Sequence, residues 1–221
     1  MIAAQLAGNF QVPPLLDLVA VILLAITGAL SAAKRGYDWI GTMAIAFITG
    51  CGGGLIRDML LNVRPVILEH ELYLWTVIGA VFLTTYFSKV FSRVPVVFLV
   101  ADALGLAMYA VIGTQKALEA GLGVTAAILI GTLNGVGGAL IRDILAREEA
   151  SILKPGQWEA GIAFCASASF GLLGFFTDFP RAVIGLVVVV AAFFARLIAQ
   201  RYNLRTRPFM PVGFETSRGD R

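Results

Sequence analysis

Gly50-Cys51-Gly52-Gly53-Gly54-Leu55-Ile56-Arg57-Asp58 returns 85 residues later as Gly135-Val136-Gly137-Gly138-Ala139-Leu140-Ile141-Arg142-Asp143, and this recurrence decides the fold. The same offset pairs Asp17 with Asp102, Gly28 with Gly113 and Gly36 with Gly121, without a gap across residues 17–61 and 102–146. An apolar chain aligns many Leu, Val and Ala residues by coincidence. It does not align glycines, both arginines and four aspartates in register. Duplication of a unit is the economical explanation.

The surroundings of the motif place it in a bilayer. The 221 residues are 58% hydrophobic and 14% charged, with a mean hydropathy of +0.85, outside the range of an ordinary water-soluble domain. A spanning helix needs about 20 mostly apolar residues. Stretches near 13–33, 39–61, 72–91, 96–116, 123–146, 158–177 and 181–199 meet that need and predict seven spans. A membrane barrel would alternate apolar and polar residues in short segments, whereas Ala182 to Ala195 is apolar throughout. The expected class is therefore an all-α membrane protein with seven transmembrane helices.

The duplicated unit holds three spans, and an odd number makes the second copy enter the membrane in the opposite sense. The expected organisation is a single transmembrane domain over residues 1–200. Within it, repeat one covers about 15–93, repeat two about 96–178 and a seventh helix about 181–199, and a basic cytoplasmic tail follows over 201–221. Inverted repeats of this kind in transporters bring interrupted helices together at the binding or permeation site. Here that site falls between spans two and five. The seventh helix has no counterpart and is expected to complete packing or an oligomer contact.

Met1 to Pro14 lacks the basic region and cleavage site of a signal peptide, so the first span is expected to remain in the mature protein. With the C-terminus in the cytoplasm, Lys34, Arg35, Lys89, Arg93, Arg147 and Lys154 occupy cytoplasmic loops. Arg196, Arg201, Arg205, Arg207, Arg218 and Arg221 add to that side, and only Arg64, Lys116 and Arg181 face outside. The positive-inside rule thus predicts N-out, C-in. The net charge of +3 follows from topology, so no nucleic-acid partner is expected. The tail, with Pro208, Pro211 and Gly213, is expected to be extended; it is able to touch anionic membrane lipid, but its favoured role is that of a plain topogenic signal.

Clustered glycines weaken a helix by about 1 kcal/mol each relative to alanine. A kink or break is expected at Gly50 to Gly54 and at Gly135 to Gly138, with freed backbone groups facing a water-filled cavity. The alternative is that these glycines permit close helix packing, since Gly50 and Gly54, and Gly131 and Gly135, have small-xxx-small spacing. Arg57 and Arg142 are costly within spans and need partners. Adjacent side chains on a helix do not face one another, so Asp58 and Asp143 are not the expected partners. Matching depth proposes Asp17 with Arg57 and Asp102 with Arg142, against the alternative that all four snorkel to the interface.

Other chemistry lacks its residues. A phosphate loop requires a preceding strand and a Lys-Ser/Thr ending. A catalytic site requires convergent groups, and neither a Ser-His-Asp nor a Cys-His set is present. His70, the one histidine, sits beside Glu69 and Glu71 in a loop. Cys51 and Cys165 fall in spans and read as buried thiols. No enzyme activity, cofactor or resident metal is expected.

The duplicated Gly-X-Gly-Gly-X-X-X-Arg-Asp motif within seven helices resembles the trimeric intracellular cation channels in their prokaryotic branch, also labelled a putative glycine transporter domain family. The resemblance spans about residues 15–200. It implies a homotrimer in which each protomer holds its own pore, passing mainly potassium and also sodium. It further implies that kinked helices two and five line the pore. The matching positions are Gly50, Gly52, Gly53, Gly54, Arg57 and Asp58, with Gly135, Gly137, Gly138, Arg142 and Asp143. Asp17 and Asp102 are the charge partners proposed above. Ala139 stands where the first motif has Gly54, a departure that puts equal kinking in doubt. The animal members' Lys-containing gate motif has no match here, so their lipid gating is not carried over. A monovalent cation channel in a prokaryotic inner membrane is the leading expectation. A secondary transporter of a small amino acid such as glycine is the rival, because broken helices and inverted repeats serve both.

Overall fold

The structure is a computed structural model that describes residues 13–87, 95–153, 158–177 and 179–204. Lys89, Arg93, Lys154, the start before Pro13 and the tail from Arg205 lie outside the described residues. Seven main helices run as α1 Pro14–Lys34, α2 Trp39–Leu60, α3 Leu72–Tyr86, α4 Pro95–Glu119, α5 Val124–Leu145, α6 Glu159–Phe176 and α7 Arg181–Arg201. A one-turn helix, Val66–Glu69, precedes α3, and a 3-10 turn, Ser151–Leu153, precedes α6. The described residues contain no strand. Among the described residues six helices are long and apolar enough to cross a bilayer, and α3 is a shorter apolar helix. Its 15 residues reach about 22 Å at 1.5 Å per residue, less than a bilayer core of about 30 Å.

Local chemistry sets the ends. Proline at the first position of α1 removes an N–H that would have no acceptor there. Gly36 and Gly121, paired by the 85-residue offset, both take positive φ just past a helix end, at +72° and +84°. At each, the next residue's N–H reaches back into the last turn, Tyr37 to Ala32 and Leu122 to Ala117. This left-handed cap favours glycine. Asn62 and Arg147 repeat the left-handed turn after α2 and α5, again at the same offset. The two copies therefore end their helices by the same hydrogen bonds.

Helices α1 and α4 are the most enclosed spans. Each packs against the two helices that follow it, α1 with α2 and α3, α4 with α5 and α6. Across the copies α1 meets α4 and α2 meets α5, while α7 lies on α4 and α6. Leu74, Trp75 and Phe82 of α3, Phe164 and Leu172 of α6, and Leu186 and Phe194 of α7 are exposed. On membrane helices such a belt faces lipid or another protein chain. Cys165 belongs to it, being exposed on α6. The expectation of a buried thiol holds for Cys51 alone, because lying within a span does not make a side chain interior when the solvent is hydrocarbon.

Candidate functional site

The glycines sit where α2 and α5 cross. A Cβ built on Gly53 would strike the carbonyl oxygen of Asn134, and one on Gly138 would strike that of Thr49. Residue 53 thus meets 134 while 49 meets 138, so the helices run antiparallel and carry Arg57 and Arg142 to opposite ends. The reciprocity extends further. A Cβ on Gly50 would lie 3.0 Å from the Val21 carbonyl and one on Gly135 3.2 Å from the Leu106 carbonyl. Gly52 and Gly137 each face the partner helix, with Gly138 Cα and Gly53 Cα 3.4 Å from their Cβ positions. Neither helix is interrupted: α2 and α5 are continuous through these residues. The expected break is absent, because the packing that glycine permits outweighs its weak helix propensity once neighbouring backbones lie against it. Position 54 differs. A Cβ there meets only Arg57 Nη2 at 3.6 Å and Tyr109 Oη at 3.9 Å, ordinary contacts, and the second copy carries Ala139 at that place.

Each Arg-Asp pair closes on itself. Arg57 Nε donates to Asp58 Oδ1 at 2.7 Å and Arg142 Nε to Asp143 Oδ1 at 2.9 Å. The other oxygen accepts a backbone N–H eight residues on, Val66 to Asp58 Oδ2 at 3.0 Å and Ser151 to Asp143 Oδ2 at 2.9 Å. The expectation that Asp58 and Asp143 would not partner the arginines is therefore wrong. Adjacent Cβ atoms diverge, but the long Arg side chain curls around the last helical turn to reach its neighbour. The aspartates also hold the short turns that follow.

Beyond this shared clamp the two ends differ. Arg57, 1% exposed, also approaches Asp17, with Nη1 to Oδ1 at 3.4 Å. Asp17 further accepts from Tyr73 Oη at 2.8 Å and lies 3.7 Å from Lys116 Nζ of α4. At the other end Asp102 does not pair with Arg142. It meets Arg196 Nη2 of α7 at 3.3 Å, and Arg196 also pairs with Glu159 of α6. Glu159 accepts from Ser151 Oγ at 2.8 Å, so one network runs from Arg142 through Asp143, Ser151 and Glu159 to Arg196 and Asp102. The nearby guanidinium of α7 displaces the expected partner. Arg142 Nη1 has no hydrogen-bond partner among the described residues.

Open space is distributed as unevenly. Beside Arg57 a cavity of about 10 Å³ is lined by residues including Asp17, Cys51, Gly54, Asp58, Tyr73 and Tyr109, close to the minimum that holds one water. Beside Arg142 a cavity of about 900 Å³ reaches Asp102, Asp143, Glu148, Glu159 and Arg196. At its rim Arg35, before α2, forms a two-pronged bond to Glu148, after α5, at 3.0 and 2.5 Å. No group of acidic, His or Cys side chains suited to a metal occurs among the described residues.

Tyr73, Tyr109, Lys116, Glu159 and Arg196 join the sequence-predicted residues here. Arg196 and Glu159 carried a signal, a charge inside an apolar stretch. Counting Arg196 with the cytoplasmic tail passed over it; at 1% exposure it is an interior residue of α7. Lys116 and Arg181, expected to face outside, lie on α4 and α7. Arg181 is buried and donates to the Gly174 carbonyl at 2.5 Å. Tyr109 had no signal, being one aromatic among many apolar residues.

The glycine transporter family model matches this chain twice, at residues 14–89 and 99–177. A UPF0126 membrane protein from Deinococcus radiodurans is 32% identical over 193 residues, 86% of this chain and 88% of that protein. The UPF0126 inner membrane protein YadS of Escherichia coli K12 is 33% identical over 197 residues, 88% of this chain and 94% of that protein. Among solved structures, a TRIC cation channel superposes with a TM-score of 0.82 at 28% identity, covering 91% of this chain and 98% of its own. The TRIC trimeric intracellular cation channel orthologue from Rhodobacter sphaeroides superposes at 0.80 with 31% identity, covering 86% and 98%. These similar proteins are membrane proteins and channels, not enzymes.

Proposed function

The chain belongs to the glycine transporter family and superposes on TRIC cation channels, and we propose that it is itself a monovalent cation channel of a prokaryotic inner membrane. It conducts potassium and also sodium through a pore within each protomer of a homotrimer. Two inverted three-helix repeats, α1–α3 and α4–α6, build the protomer, with α7 outside the repeat. Helices α2 and α5 line the route along Gly50, Gly52, Gly53, Gly54, Gly135, Gly137 and Gly138, and any bend at these glycines occurs within a continuous helix. Arg57 with Asp58 stands at one mouth and Arg142 with Asp143 at the other.

The antiparallel glycine crossing of α2 and α5 carries this reading. It places backbone dipoles at the centre of the protein and identical Arg-Asp groups at opposite ends, the symmetry of a two-mouthed route. Backbone oxygens and carboxylates of this kind replace part of an ion's hydration shell in channels. The N-terminus lies outside and the C-terminus in the cytoplasm, which puts the Arg35–Glu148 rim and the large cavity on the cytoplasmic side.

Recording the purified protein in a planar bilayer under potassium and sodium gradients tests the proposal. Discrete openings with a cation-selective reversal potential are expected. A secondary transporter of glycine is the second reading, favoured by the unpartnered Arg142 nitrogen beside several carboxylates, a pairing suited to a zwitterion. Saturable glycine counterflow without unitary current would replace the channel reading with this one.

A further inference from the structure

The two copies share their Arg-Asp ends but not their closure. At the 85-residue offset Tyr109 of α4 stands where α1 has Leu24, and Tyr73 of α3 where the second copy has Trp158. Tyr109 is 1% exposed, and its hydroxyl donates to the Gly50 carbonyl at 2.8 Å. Its ring lies along α2, with Cδ2 3.2 Å from a Cβ built on Gly53 and Oη 3.9 Å from one on Gly54. The phenol thus fills the face that the first glycine cluster leaves bare. It also walls the small cavity that holds Asp17, Cys51 and Arg57. Leu24, its counterpart, has no hydroxyl and packs towards Gly105 of α4.

The geometry points to Tyr109 as a one-sided stopper, whose ring and hydroxyl close the Arg57 half of the route while the Arg142 half stands open as far as Arg142 and Asp102. This rests on the reading of α2 and α5 as the walls of that route. A second lone pair on the Gly50 carbonyl, beyond the one the helix uses, anchors the hydroxyl and so fixes the ring against the glycines. When the ring leaves, the Gly50 carbonyl is freed and the small cavity that already holds Asp17, Cys51 and Arg57 widens enough to admit more than a water to the Cys51 thiol. The stopper acts on one side only, because leucine cannot hold the Gly135 carbonyl in the same way.

Cys51 is a native reporter of this closure. With Cys165→Ala it is the sole thiol, since the chain has two cysteines. The full chain in potassium-loaded proteoliposomes is treated with a trimethylammonium methanethiosulfonate, and the rate of Cys51 modification is read by intact mass alongside potassium efflux. Tyr109→Phe is expected to raise the modification rate at least tenfold, and Leu24→Ala, at the mirror position, to leave it unchanged. A Tyr109→Phe rate equal to the parent's, or an equal rise in Leu24→Ala, overturns the stopper. Should Tyr109→Phe not yield folded protein, Gly54→Ala narrows the same cavity while leaving Tyr109 in place, its new methyl in ordinary contact with the Tyr109 hydroxyl at 3.9 Å, and is expected to slow modification at least threefold. An unchanged rate there also overturns it. Faster modification of Cys51 without potassium efflux in any variant upholds the stopper and defeats the channel reading instead.

Discussion

Gly53 of α2 lies so close to Asn134 of α5 that a methyl group at position 53 would overlap the Asn134 carbonyl oxygen, and the pair Gly138 and Thr49 repeats the arrangement. Backbone cannot yield as a flexible side chain does, so the two helices would have to separate.

Gly53→Ala and Gly138→Ala are each expected to destabilise the protein by about 1–3 kcal/mol, the usual cost of overpacking, despite alanine's better helix propensity. Gly54→Ala, which makes only ordinary contacts, is expected to fall within about 0.5 kcal/mol of the parent, as surface-like changes do. Thermal unfolding in detergent, followed by tryptophan fluorescence, separates the two classes. Equal melting temperatures for all three variants would contradict the close crossing.

Asp58 and Asp143 have both carboxylate oxygens engaged, one by the adjacent arginine and one by the N–H of Val66 or Ser151. Their first duty is to hold the turn after the helix. Asp143→Ala is expected to cost about 1–3 kcal/mol through unsatisfied buried partners and to open the segment 146–153 to protease. Limited proteolysis with mass mapping checks this, and a protected segment in the variant would sink the clamp.

These cases show how far the sequence could be read. Gly53, Gly138, Arg57 and Arg142 are legible because duplication preserves whatever has no substitute: a missing Cβ at a backbone contact, or a guanidinium reaching around a helix end. The register between Gly36 and Gly121 is legible for the same reason, since both ends need a left-handed residue. Asp102 is legible as a residue but not in its pairing. Its partner Arg196 comes from α7, which has no counterpart in the repeat. Tyr109 is hidden because it breaks the repeat, and one aromatic in an apolar helix carries no mark of what it faces. Continuity of α2 and α5 is hidden too, because propensity describes an isolated helix while packing determines the folded one.

Arg57 and Arg142, equivalent in sequence, are expected to differ in weight. Arg57 engages both Asp58 and Asp17, whereas among the described residues Arg142 engages Asp143 alone and keeps Nη1 unpartnered. Breaking a buried pair costs about 3–5 kcal/mol, so Arg57→Gln should approach that range and Arg142→Gln fall below it. Melting temperatures of the two variants provide the comparison. Bilayer currents unchanged in both would remove these arginines from the permeation route.

Arg196 is the anchor between α7 and the second repeat, since one guanidinium serves both Asp102 and Glu159. Arg196→Met leaves two buried carboxylates without their cation and is expected to cost about 3–5 kcal/mol. Adding Glu159→Gln to it removes one of those charges while keeping an acceptor for Ser151 Oγ, which now donates to Glu159 Oε2. The double variant should therefore be more stable than Arg196→Met alone, with a coupling of about 0.5–3 kcal/mol. A double-mutant cycle on thermal unfolding measures that coupling. Simple additivity would mean that Arg196 and Glu159 do not interact in the membrane, and that α7 is held by its apolar contacts with Val111 and Phe170 rather than by charge.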